Sequence, residues 1–183
     1  MKYLDGKNIR LRAPEPEDLD VLYQWENNTD IWLVSNTIVP FSKHILKKYI
    51  ETAHLDIYET RQLRFMIQTI GEDPKTIGTI DLFDFDPYHC RAGIGILIGD
   101  EDSRKKGFAQ DALKTVISYA FSVLKLHQLY CHINPANESS IQLFKHCGFE
   151  ISGEKKDWMH HTTYKYQGGK KLKSCEKIWL IFL

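Results

Sequence analysis

The apolar run Ala92-Gly-Ile-Gly-Ile-Leu-Ile98 leads through the basic loop Arg104-Lys105-Lys106-Gly107 into a long amphipathic segment, and a second apolar run, Gln128 to Ile133, follows. This succession constrains the fold more than any other feature of the chain. The first run is rich in isoleucine and bounded by charged and turn residues, as a buried strand should be. The middle segment sets Ala109, Leu113, Val116, Ile117, Ala120, Phe121 and Leu124 on one stripe, which predicts a helix from Gly107 to Leu124. A strand, a helix and a strand in that order make a crossover. Such crossovers are right-handed and join parallel strands, so the chain is predicted to be a mixed α/β protein.

The loop itself has the composition of an anion cradle. The first N–H groups of a helix have no intrahelical partner and lie at the positive end of its dipole, where a diphosphate finds donors. Gly107 lets that backbone come close, and Arg104, Lys105 and Lys106 add positive charge. The plainer alternative is that Asp100, Glu101 and Asp102, immediately upstream, pair with those cations on an ordinary surface.

At 183 residues the chain fits one domain with a sizeable core, predicted to span 1–183. Its 24 basic residues balance its 24 acidic ones, so no broad field attracts nucleic acid or an anionic membrane, and any anion site must be local. No apolar run approaches the ~20 residues that span a bilayer, and the N-terminus lacks a signal-like apolar region. A cytoplasmic protein with neither nucleic-acid nor membrane partners is expected. Cys90, Cys131, Cys147 and Cys175 form no C-x-x-C pair, and His160-His161 would point to opposite faces of a strand, so no metal site is expected.

Elsewhere, Asn8 to Arg12 alternates like a first strand, and Pro14 and Pro16 introduce a helix carrying Leu19, Leu22 and Trp25. Asn27, Asn28 and Asp30 close it. Trp32 to Phe41 reads as a loop before a helix capped by Ser42, whose apolar face is Ile45, Leu46, Tyr49, Ile50 and Ala53. Leu63 to Ile70 and Thr76 to Phe85 read as a hairpin turned at Gly71-Glu-Asp-Pro74. Asn137 is a helix N-cap and Gly148 the matching stop. Phe149 to Ile151 and Lys177 to Phe182 look like strands, with a connecting loop at Gly168-Gly169.

The spacing Arg104-x-x-Gly107-x-Ala109 resembles the acyl-CoA diphosphate loop of the GNAT N-acetyltransferase superfamily. The resemblance extends over nearly the whole chain. Ile9-Arg-Leu-Arg-Ala-Pro14, Gln24-Trp-Glu-Asn-Asn28 and Asn137-Glu-Ser-Ser-Ile-Gln-Leu-Phe-Lys-His-Cys-Gly-Phe149 are similar to the spermidine branch, which lies beside the ribosomal-protein N-terminal acetyltransferases. It implies a mostly antiparallel sheet with splayed central strands flanked by helices, and acetyl-CoA as cosubstrate. It also implies that the backbone of Ile96, Leu97 and Ile98 pairs with pantetheine like an added strand. The N–H groups from Arg104 through Lys105, Lys106, Gly107 and Phe108 to Ala109 would hold the diphosphate. Asn137 would reach the pantetheine arm, with Phe144 and Lys145 beside the cofactor. Many members are dimers, so a homo-oligomer is one implied assembly.

Acetyl transfer to an amine by direct attack in a ternary complex needs the amine neutral and the thiolate leaving group stabilised. Asp81 and Asp84 are the candidate bases, and a regular strand would aim only one of them into the cleft. Asp81 falls where the resemblance implies an acidic residue. The same branch implies a tyrosine acid where this chain has Phe144, so Tyr130 or water is left to serve the thiolate. Gly93 and Gly95 share a strand face where either a ligand or a neighbouring side chain packs closely. A small amine such as a polyamine is the expected acceptor. Glu26, Asp30, Glu51, Asp56 and Glu59 either line an acidic cleft for it or are ordinary surface residues. Acetylation of a protein N-terminus, through a cleft around Trp32 to Phe41 and Tyr164 to Tyr166, is the alternative. A non-catalytic acyl-CoA-binding regulatory module is the rival from another class.

Overall fold

A computed structural model describes residues 3–35, 37–161 and 174–183. Its backbone divides into two compact units, Met1–Leu129 and Tyr130–Leu183.

In the first unit, β1 (Ile9–Arg12), β2 (Leu63–Thr69), β3 (Thr76–Asp86) and β4 (Arg91–Ile98) lie side by side in that order, each antiparallel to the next. The β2–β3 hairpin matches the sequence expectation, and the Thr69 hydroxyl accepts from the Lys75 N–H at 2.8 Å across its turn. Leu11, Ile67, Ile80, Leu82 and Ile94 are almost wholly buried. Along one sheet face runs a long helix whose own buried stripe includes Ala112, Leu113, Val116 and Ala120. Each aliphatic side chain so buried contributes about 1.5–3 kcal/mol.

The opposite face is covered by α1 (Leu19–Glu26), α2 (Thr29–Ser35) and α3 (Lys43–Glu51). Leu22, Trp25, Ile31, Leu46, Ile50 and Met66 form the core there. Ser42 caps α3 as expected, accepting from the Ile45 N–H at 3.2 Å. Ile45 itself is half exposed, so the helix's buried stripe is narrower than its apolar pattern. α4 (Ile57–Thr60) is a single turn, and α5 (Phe108–Ser122) is the helix across the other sheet face.

Two local arrangements depart from the sequence expectation. The loop read from Trp32 onward begins inside α2, where the Asn28 carbonyl accepts from Ile31 and Trp32 and the Trp32 indole donates to the Glu26 carbonyl at 2.7 Å. Asn27 pins the far end: its amide donates to the Phe41 carbonyl at 3.0 Å, and its oxygen accepts from the Phe41 N–H at 2.9 Å. The second departure is Asp56, whose carboxylate caps α4 by accepting from Tyr58 and Glu59.

The start of the chain is fixed to α5 by one side chain. Asp111 accepts from the backbone N–H groups of Lys7, Asn8 and Ile9 at 3.0, 2.6 and 3.2 Å. A Cβ on Gly6 would lie 2.8 Å from an Asp111 oxygen, which is why glycine stands there.

In the second unit, β5 (Gln128–Ile133) pairs antiparallel with β7 (Ser174–Phe182), which pairs antiparallel with β6 (Glu150–His161). α6 (Glu138–His146) starts at Asn137, whose side chain accepts from the Ser140 N–H at 3.1 Å, and ends at Gly148 with φ 95°. The loop expected at Gly168-Gly169 lies outside the described residues. Among those described, no helix is long and apolar enough to cross a membrane.

Candidate active site

The loop between β4 and α5 is shaped by two left-handed residues, Lys105 at φ 62° and Gly107 at φ 84°. Gly107 is the N-cap of α5 and offers no side chain to its orphan N–H groups, so Phe108, Ala109 and Gln110 have no acceptor among the described residues. Backbone donors converging beside left-handed residues at a helix N-terminus form an anion-binding concavity. Arg104 is partly withdrawn from it. Its guanidinium donates to the Ile98 carbonyl at 3.1 Å and to Glu101 at 3.2 Å, so the plainer pairing foreseen for this loop holds for that one cation. Lys105 and Lys106 are exposed with no acidic partner among the described residues. A cleft of about 860 Å³ opens alongside, lined by Trp25, Lys75, Gly99, Lys106 and Phe108 among others. Its floor at Gly99 is set by Trp25, whose ring lies where a Cβ would stand. Leu97 lies partly buried against the α1–α3 core, and Ile96, Leu97 and Ile98 are all more open than the buried first half of β4.

The second cluster forms on the α1–α3 face, in a row across three strands. Arg64 of β2 sits directly opposite Asp81 of β3, which sits opposite Gly95 of β4. The Arg64 fork donates from Nε to Asp81 Oδ1 at 2.6 Å and from Nη2 to Oδ2 at 3.2 Å, while Nη1 donates to Glu26 Oε1 at 2.5 Å. The Arg64 side chain is only 16% exposed, and its guanidinium lies 5.4 Å from the centre of the Tyr49 ring on α3. Burial works against its charge. The field and hydrogen bonds of Asp81, followed by Tyr49 and Glu26, outweigh this and raise its pKa. Burial also pushes the Tyr49 hydroxyl up to about 12, against the pull of Arg64.

Asp84 is exposed, in a bulge with φ 49° where the β3–β4 register shifts, so the regular alternation expected between Asp81 and Asp84 does not hold. Gly93 makes room for Phe83. A Cβ on Gly93 would fall 2.4 Å from that ring, and one on Gly95 would fall 3.5 Å from it. Close packing by a side chain is therefore the reason for Gly93.

In the second unit, Tyr130 is half-buried on β5, with its ring beside His132 and Phe182. Phe144 is core, edge-on to Phe149 at 4.9 Å, and Lys145 is exposed. The Asn137 oxygen is committed to capping α6, which leaves its NH₂ group as the polar group on offer. Burial holds the Cys131 thiol up at about 12. Tyr164 to Tyr166 lie outside the described residues. Asp30, Glu51 and Glu59 are exposed, and Asp56 is occupied as a cap.

Sequence reasoning missed Arg64. The turn alone could not have found it: the Gln68–Thr76 pairing continued regularly would set Arg64 opposite Ile80, and the register shift between Ile67 and Gln68 moves it opposite Asp81.

Comparisons with known proteins identify the family. The spermidine N(1)-acetyltransferase of Escherichia coli (strain K12) is 29% identical over 171 residues, covering 92% of this chain and 85% of that protein. The uncharacterized N-acetyltransferase p20 of Bacillus licheniformis is 30% identical, covering 86% and 88%. Among solved structures, spermidine N-acetyltransferase from Vibrio cholerae in complex with CoA and spermine superposes with a TM-score of 0.79 at 21% identity, covering 97% of this chain and 96% of that one. The family model for the acetyltransferase (GNAT) domain matches residues 8–150. With that model matching more than half of its length, the chain belongs to the GNAT family of N-acetyltransferases.

Proposed function

We propose that the protein transfers an acetyl group from acetyl-CoA to the primary amine of a small molecule, with the whole chain acting as a single acetyltransferase domain. The uncapped start of α5 carries this reading. Its free N–H groups, with Lys105 and Lys106, fit the diphosphate of the acyl donor, which supplies the activated thioester. The backbone of Ile96, Leu97 and Ile98 is assigned to the pantetheine amides, and Asn137, Phe144 and Lys145 to the arm and thioester end. Asp81 is the group that takes the proton from the incoming ammonium, through water, because a primary amine titrates near ~10 and is mostly protonated at neutral pH. Asp84, turned out in its bulge, is second to it. Tyr130 returns a proton to the departing thiolate, which at a pKa near ~8.5 is already a tolerable leaving group.

A polyamine such as spermidine is the favoured acceptor. The Escherichia coli and Vibrio cholerae relatives carry that activity in their names, and the Arg64 cluster holds two carboxylates to one guanidinium. Exposed apolar Ile38 and Val39 favour the second reading, a peptide N-terminus presented beside the α2–α3 segment. Assembly of copies of the chain belongs to the same proposal, by analogy with a dodecameric Vibrio cholerae enzyme.

Thiol release from acetyl-CoA with a panel of polyamines, amino acids and N-terminal peptides tests the acceptor. Turnover confined to peptides would overturn the small-amine assignment, and CoA binding with no turnover would replace it with a regulatory module. Asp81→Asn should lower turnover most near neutral pH and less at high pH, where free amine is abundant. A small, pH-independent effect would remove Asp81 as base.

A further inference from the structure

Nothing in the chemistry of acetyl transfer calls for a buried arginine beside the base, yet Arg64 is the most enclosed cation of the acceptor face and the hub of its polar contacts. We propose that Arg64 is a positioning residue for the transfer reaction: its fork fixes the orientation of Asp81 and clips Glu26, the last residue of α1, to the same guanidinium. This rests on the reading of Asp81 as the proton acceptor. The cross-strand register alone does not fix a carboxylate's rotation, because an aspartate on a strand has freedom at χ2. Two parallel N–H···O contacts to one guanidinium do fix it, leaving the outer lone pairs of both oxygens aimed away from the fork. Gly95 on the next strand has no side chain to cover that outer side, and the Phe83 ring lies across it at contact distance. The base is thus held by the fork on one flank and bordered on the other by the Phe83 ring at Gly95.

The same contacts set the charge of the pocket. One guanidinium against Asp81 and Glu26 leaves a single net negative charge, which an incoming ammonium neutralises. Tyr49, kept protonated by burial, closes the cluster over the Arg64 face without adding charge. Arg64 therefore has two separable roles, a geometric one exercised on Asp81 and an electrostatic one exercised on the ammonium.

Arg64→Lys keeps the charge and removes the fork, so it separates those roles. With steady-state kinetics on the full chain, R64K is expected to hold the amine KM within about threefold while kcat falls about tenfold or more, with the acetyl-CoA KM unchanged. In an Asp81→Asn background the same change should alter kcat less than about twofold, because there is no base left to position. Glu26→Gln, which leaves the Arg64–Asp81 pair intact, should raise the amine KM about fivefold or more with little change in kcat. It tests the electrostatic role even if R64K does not fold. An R64K enzyme with wild-type kcat, or one that loses kcat equally with and without Asp81, would overturn the proposal while leaving the acetyltransferase reading in place. A wild-type chain inert toward every amine would overturn both.

Discussion

Replacing Asp111 with Asn should loosen the start of the chain by a calculable amount. The carboxylate accepts three backbone N–H groups, two of them on the same oxygen, and Ile9, the last of the three donors, is fully buried. An amide keeps one acceptor oxygen, now uncharged, and turns its NH₂ toward a backbone donor. Hydrogen bonds to a charged group contribute about 1.5–3 kcal/mol and neutral ones about 0.5–1.5 kcal/mol. Weakening two contacts and losing one therefore sums to about 3.5–6 kcal/mol, brought down to about 3 kcal/mol because Lys7 and Asn8 are exposed to water. For a chain of this length that corresponds to a fall in Tm of about 6–12 °C, measurable by thermal unfolding followed by circular dichroism. CoA affinity should not change, because the N–H groups of the cradle precede Asp111 and are untouched. Gly6→Ala should destabilise through the same contact, since its new methyl pushes on the carboxylate, and the two substitutions together should cost less than their sum. A D111N protein melting within a degree or two of wild type, or strictly additive effects, would show that the latch does not hold β1 to α5.

Three further outcomes follow from the same geometry. Charge reversal at Lys105 and Lys106 should weaken CoA binding by calorimetry with the fold intact, and unchanged affinity would remove the diphosphate from this loop. Because Tyr49 titrates higher folded, at about 12, than its ordinary 10, its contribution is complete below pH 10 and is lost as pH rises through 12. Wild type should therefore lose about 1.4 kcal/mol on this account by about pH 11, measured as urea midpoints, and Tyr49→Phe should not show that loss. Alkylation of the native protein should label exposed Cys90 and spare Cys131, which is buried with its thiol held up at about 12.

Elements bounded by strong local chemistry were legible from the chain. Ser42, Asn137 and Gly148 bound their helices through hydrogen bonds or φ angles that few other residues supply, and β2 and β3 are joined by a turn legible in its residues, though their register shifts at a bulge between Ile67 and Gln68. The cradle was readable for the same reason, since Gly107 and a helix start are both local. α2 was not, because its short sequence has little helical preference and is secured by contacts from Asn28 and from the Trp32 indole to Glu26. Asp81 could be named as an acid but not as one half of a fork. An arginine in an otherwise apolar strand reads as a solvent-facing residue until the partner strand is laid beside it. The bulge at Asp84 and the Phe83 ring over Gly93 are likewise products of two strands, β3 and β4, meeting, which no window along one of them contains.

The Asn27 amide, bonded through both its oxygen and its nitrogen to Phe41, holds the two ends of the stretch between them together. Ile31 keeps α2 in the core, so it is the part beyond Ser35 that can lengthen or change character without re-siting α1 or α3, and doubling its length costs only about 0.6 kcal/mol of closure entropy. Ile38 and Val39, exposed on that stretch, are thus free to drift with the identity of the acceptor. If the acceptor is presented beside this segment as proposed, divergence in what such chains acetylate can proceed by rewriting one tethered insert, with the sheet inherited unchanged.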